Sequence, residues 1–207
     1  SDPKSSIHKS NIAATCGLSG CHVKEKNAYN VSIHWKSLKE GKIDSPACAD
    51  CHGNHQIESP NRFGNQGVKN QFIAKLCSDC HASVELASRY NFSQIQADSY
   101  YESYHGLAVK GGSKLAANCA SCHNYHDIRP STDPLSSIHR SNLSKTCGKC
   151  HPNASLDNKF AKVHVTNTQE ESIMLYLVKT GYIFLIFATI GIMFIHNVLD
   201  WIRKRQH

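Results

Sequence analysis

The sequence predicts a mostly α-helical and irregular fold: a small N-terminal domain that draws little of its core from its own side chains, followed by one C-terminal transmembrane helix. Three observations predict it. All ten cysteines fall into five Cys-Cys-His motifs within the first 151 of 207 residues. No alternating apolar pattern persists long enough for a strand. From Ile173 to Leu199 the composition turns apolar, and Thr180 to Ile195 carries no Asp, Glu, Lys or Arg. The boundaries that follow are a 1–165 domain, a 166–172 linker, a 173–200 span and a 201–207 basic tail.

The five motifs are Cys16-x4-Cys21-His22, Cys48-x2-Cys51-His52, Cys77-x2-Cys80-His81, Cys119-x2-Cys122-His123 and Cys147-x2-Cys150-His151. Paired thiols followed at once by a histidine form the attachment signature of a c-type haem: the thiols bond the porphyrin and the histidine takes one axial position on iron. Disulfides or zinc would also use paired cysteines, but neither accounts for a histidine after the second cysteine in every copy. The first motif, with two extra residues between its thiols, is the weakest taken alone. The cofactor expectation is five covalently bound haem c groups. With 33 residues per motif, the haems themselves are expected to form the core, since the polar chain offers little apolar surface.

Residues 1–165 hold 19 Lys and Arg against 13 Asp and Glu, a net +6. The cations are scattered, with no basic aromatic stripe, so nucleic acid is not the expected partner. Haem propionates are.

Two internal repeats organise the domain. Ser5-Ser6-Ile7-His8-Lys9-Ser10-Asn11 returns 131 residues later as Ser136-Ser137-Ile138-His139-Arg140-Ser141-Asn142. His34, Cys48, Cys51, His52, His55 and Ile57 return 71 residues later as His105, Cys119, Cys122, His123, His126 and Ile128. One module thus reads Cys-Cys-His, a free histidine, Cys-Cys-His, then a histidine three residues on. Residues 16–57 form one copy and 77–128 another, while 147–164 begin a third with His164 in the place of His34. A helix is expected from Ile73 to Leu86, with turns at 58–64 and 129–134.

Nine histidines lie outside the motifs, seven of them in the 1–165 domain: His8, His34, His55, His105, His126, His139 and His164. These are the candidate distal ligands. Both methionines, Met174 and Met193, sit in the apolar segment, so bis-histidine ligation and low potentials are expected. The expected pairing gives His55 and His126 to the first and third haems, His34 and His105 to the second and fourth, and His139 or His164 to the fifth. His126 follows His123 too closely to reach the far face of the same ring, and it is expected to serve another iron; the same holds for His55 and His52.

The apolar run exceeds the ~20 residues that cross a bilayer. Tyr176, Tyr182 and Trp201 suit the interfaces, and Lys179 can snorkel. Arg203-Lys204-Arg205 after the span and Glu170-Glu171 before it place the C-terminus in the cytoplasm, with the N-terminal domain periplasmic. The chain opens Ser1-Asp2-Pro3 without a charged, apolar leader, although thioether attachment implies export. His196, near the cytoplasmic end, is either an interfacial histidine or a group for haem b or a quinone shared with a partner.

These motifs resemble those of the multihaem c-type cytochromes, and the Cys-x4-Cys-His form is similar to that of the tetrahaem cytochrome c3 group. Tyr101 to His151 and Phe194-Ile195-His196-Asn197-Val198-Leu199-Asp200 resemble inner-membrane proteins in which a multihaem c domain precedes a b-type cytochrome. Quinol dehydrogenases of the NapC/NirT type are similar in task, but their anchor precedes the haems. The resemblance implies an electron-transfer subunit with no catalytic residue, relaying electrons between a quinone- or quinol-linked complex of membrane subunits and a periplasmic redox partner. The alternative expectation is a reductase or oxidase acting on a small nitrogen or sulfur compound at one open haem; no Cys-x2-Cys-Lys site is present. A purely structural filament is at odds with the membrane span.

Overall fold

In the computed structural model, residues 2–18, 20–55, 57, 64–152, 154, 163–164 and 173–205 are described. The expected linker at 166–172, the turn at 58–63, Glu170-Glu171 and the end of the tail lie outside them. The chain divides into two units, Ser1–Val165 and Thr166–His207.

The first unit is a string of short helices, with no strand among the described residues: α1 (Ile12–Cys16), α2 (Val23–Tyr29), α3 (Ile33–Lys39), α4 (Cys48–His52), α5 (Gln66–His81), α6 (Val84–Tyr90), α7 (Ile95–Glu102), α8 (Tyr104–Lys110), α9 (Cys119–His123) and α10 (Leu143–Cys147). Their starts are written in polar side chains. Ser32, Asn65, Ser83, Ser103 and Asn118 each accept a hydrogen bond from a backbone N–H of the first turn of the helix they precede. The Ser83 cap explains a departure from expectation. The helix anticipated from Ile73 to Leu86 starts earlier, at Gln66, and stops at His81; Ser83 then opens α6.

The apolar core is small. One cluster joins Ala74 of α5, Tyr100 of α7 and Val109 of α8, with Tyr101, Ala116 and Cys119 packed against it. Gly106 lets α7 and α8 meet closely, since a Cβ there would stand 2.0 Å from the Tyr100 carbonyl oxygen. A buried polar hub does much of the remaining joining. Asn70 Nδ2 donates to the carbonyls of Ser113, Lys114 and Ala116 at 3.2–3.4 Å, and its Oδ1 accepts from Asn118 Nδ2 at 3.1 Å. These bonds satisfy groups that burial would otherwise leave costly, and they lock α5 to α9.

The second unit contains α11 (Ile173–Arg205). From Tyr176 to Arg205 it is long and apolar enough to cross a membrane, with a mean hydropathy of 2.1 over its most apolar window. The helix continues through the expected basic tail as far as Arg205. Lys204 Nζ lies 2.8 Å from Asp200 Oδ2, and the Arg205 guanidinium stacks 3.9 Å from the Trp201 ring centroid. Such pairs extend the helix past the apolar stretch.

Candidate functional site: four facing histidine pairs

The second and fourth Cys-Cys-His motifs form α4 and α9, the third ends α5, and α1 and α10 end on the first cysteine of the first and fifth motifs. The repeat shows how two of them are built alike. In α4 the Asp50 carboxylate accepts from Ala47 N at 2.7 Å; in α9 the Ser121 hydroxyl accepts from Asn118 N at 3.1 Å. Both helices then end on a residue of positive φ, Gly53 at +79° and Asn124 at +63°, with ψ of 172° and −173°. That region is costly for a residue with a side chain, so Asn124 holds local strain beside the motif. The kink turns the chain away directly after His52 and His123.

The free histidines meet the motif histidines of other modules. Ring centroids lie 6.2 Å apart for His34 and His81, 6.1 Å for His52 and His126, 6.1 Å for His105 and His151, and 6.2 Å for His123 and His164. An iron with one imidazole nitrogen ~2 Å away on each side would set two ring centroids about 6 Å apart. Four pairs, drawn from four separate stretches of chain, share that one spacing, so the residues present fit a bis-histidine haem at each.

The pairing differs from the one expected. His126 faces the second motif instead of the first or third; His34 faces the third instead of the second; His105 faces the fifth instead of the fourth; His164 faces the fourth. The reason lies in modular exchange. His34 and His105 reach the first motif of the next module, and His126 reaches the second motif of the previous one. A backbone bond from Ile33 N to Ile128 O, 2.8 Å, ties the approaches to His34 and His126 together. Ser45 Oγ donates to the His34 carbonyl at 2.8 Å, and Ser99 Oγ meets His164 Nδ1 at 3.2 Å, which leaves Nε2 for the pair.

Desolvation favours the neutral form of six of these rings. Desolvation, then the neighbouring His81, lowers His34 to about 4; desolvation, then His164 and His81, lowers His123 to about 4. His52, His81, His105 and His164 are lowered as well, with desolvation the largest cause in each. A neutral imidazole is the form that binds iron.

Consecutive motifs are neighbours. Helix α1 packs against α4, where Lys9 Nζ is 3.1 Å from Asp50 Oδ2. Cys48 is pushed up to about 11 by burial and then by Cys16, and Cys51 to about 11 by burial and then by Cys77. Helix α5 packs against α9, bringing Cys77 into hydrogen-bond contact with Cys119. Cys122 is raised by burial and then by Cys147, and its carbonyl accepts from Ser137 Oγ. The five sites therefore follow one another in space in the order of the chain.

Three candidate ligands are not brought to a motif histidine. His8 and His139 occupy matching settings: Nδ1 lies 2.7 Å from Ser10 Oγ and from Ser141 Oγ, and takes the backbone N–H of the same serine at 3.3 Å. His139 is thereby a cap of the 3-10 turn Arg140–Asn142. His55 is exposed. His22, the first motif histidine, faces no ring among the described residues; its Nδ1 lies 4.0 Å from Glu25 Oε2. His196 is exposed on α11. Ser10 and Ser141, the partners of His8 and His139, and the Asn70 hub were missed by the motif reading, although the two serines recur in the 131-residue repeat and were visible there.

A family model described as a doubled CXXCH motif matches residues 38–86. No curated protein and no solved structure matches the chain. The family match covers the second and third motifs, and it indicates a multihaem c-type cytochrome with covalently bound haem, a class whose task is electron transfer.

Proposed function

We propose that this chain is a membrane-anchored pentahaem electron-transfer subunit, relaying electrons between a quinone- or quinol-linked membrane complex and a periplasmic partner. The four histidine pairs at 6.1–6.2 Å carry the reading. When bound, c-type haem supplies reversible one-electron chemistry at iron. The chain's part is to bring the two imidazoles of each pair face to face and set each site against the next.

The absence of methionine from residues 1–165 favours low potentials. The span Tyr176–Arg205 supplies the anchor, and Arg203-Lys204-Arg205 favours a cytoplasmic C-terminus and a periplasmic haem domain. His196 would meet haem b or a quinone only with helices of other membrane subunits, because one helix cannot enclose either.

Isolation of the intact membrane complex, with its c and b haems counted and its subunits identified, tests the reading. Five covalent haems on this chain with predominantly low-spin ferric spectra are expected. Fewer than five would overturn it. His22, which faces no ring among the described residues, favours a second reading, in which one haem also binds a small nitrogen or sulfur compound.

A further inference from the structure

The five motif histidines are not equivalent. His52, His81, His123 and His151 each face an imidazole at 6.1–6.2 Å, and His22 faces none among the described residues. The third and fifth motifs open their modules and take their facing ring from the free histidine of the module before. The first motif also opens a module; the one histidine in residues 2–15, His8, is held through Nδ1 by Ser10 and is not paired with the His22 ring.

The other unmatched histidines offer no better source. His139 repeats the His8 arrangement bond for bond, and the motif it precedes is already faced by His105. His55 follows His52 by three residues, where the Gly53 turn sends it out to solvent. The His22 side chain keeps 71% of its exposure, and no second imidazole closes over it among the described residues.

From this we infer that the haem on His22 is five-coordinate from this chain, and that its open face binds a small exogenous σ-donor of the carbon monoxide, nitric oxide or nitrite class. Glu25 lies on the His22 side, too distant for a hydrogen bond, and places a carboxylate beside the ring that holds the iron. The other four haems are closed to such ligands. The inference rests on the haem reading of the motifs, whose failure would show separately as missing covalent haem.

The test is anaerobic carbon monoxide titration of the reduced full-length chain, beside electron paramagnetic resonance of the ferric protein and a count of covalent haem. One carbon monoxide per chain and one high-spin ferric signal are expected. His105→Ala and His34→Ala should each raise uptake to two per chain, while His8→Ala, His55→Ala and His139→Ala leave it at one. No uptake with five low-spin haems would overturn the inference. So would uptake that appears only when His8, His55 or His139 is replaced, because that residue would then be the missing ligand.

Discussion

Residues 5–16 and 136–147 are built alike. Asn11 Nδ2 donates to the carbonyls of Pro3 and Ser5 at 2.7 and 2.9 Å, and Asn142 Nδ2 to those of Pro134 and Ser136 at 2.8 Å each. Thr15 Oγ1 donates to Ser6 O at 2.7 Å, and Thr146 Oγ1 to Ser137 O at 2.6 Å. Yet His151 downstream of one faces His105, while His22 downstream of the other faces no described ring. Local sequence reproduces the local fold, but it does not supply the second ligand. That ligand arrives from a helix 46 residues earlier in the chain.

The largest effect that would sharpen this contrast comes from His105→Ala. It should convert the haem of His151 from low spin to high spin, making the second copy resemble the first, as read by magnetic resonance and carbon monoxide uptake. Retention of five unaltered haem signals would break the comparison.

Next in size is Asn142→Ala, which removes two hydrogen bonds from a half-buried loop. It should cost about 1–3 kcal/mol by chemical denaturation, and Asn11→Ala a similar amount. A large difference between the two would mean that the copies carry unequal loads.

Acid should act on the paired histidines. The folded values of His34 and His123, about 4, lie below the ordinary histidine value of 6.5. The unfolded chain therefore binds more protons between pH 6.5 and 4. The stability these rings contribute is full above about pH 6.5 and is lost as pH falls toward 4. Stability measured by chemical denaturation should decline as pH falls through that window; a decline that begins above pH 7 would contradict it.

The smallest change is expected from Arg129→Ala. Its guanidinium lies 2.9 Å from Asp133 Oδ2 in the turn that leads into the second copy. Its loss should destabilise by about 1 kcal/mol or less, with the haem spectrum unchanged.

The motifs and the long apolar helix were legible because each is written in adjacent residues: a thiol spacing and an apolar run. The small size of the domain's own apolar core was legible too, since polar residues dominate around Cys16 to Cys150. The partners of His34, His105, His126 and His164 were not. Each belongs to a different module from the histidine it faces, and a repeat reveals equivalence without revealing which copy a side chain reaches. The break between α5 and α6 was readable in principle, because Ser83 is a good helix-starting residue; the apolar run to Leu86 masked it.

The contact between Cys77 and Cys119 bears on how the protein is made. These thiols belong to different motifs, separated by 42 residues, and the docking of α5 on α9 brings them together. In an oxidising compartment, two such thiols left bare would join and disable two attachment sites at once. Maturation therefore favours an order of events in which the sulfurs are captured, or kept reduced, before that docking closes.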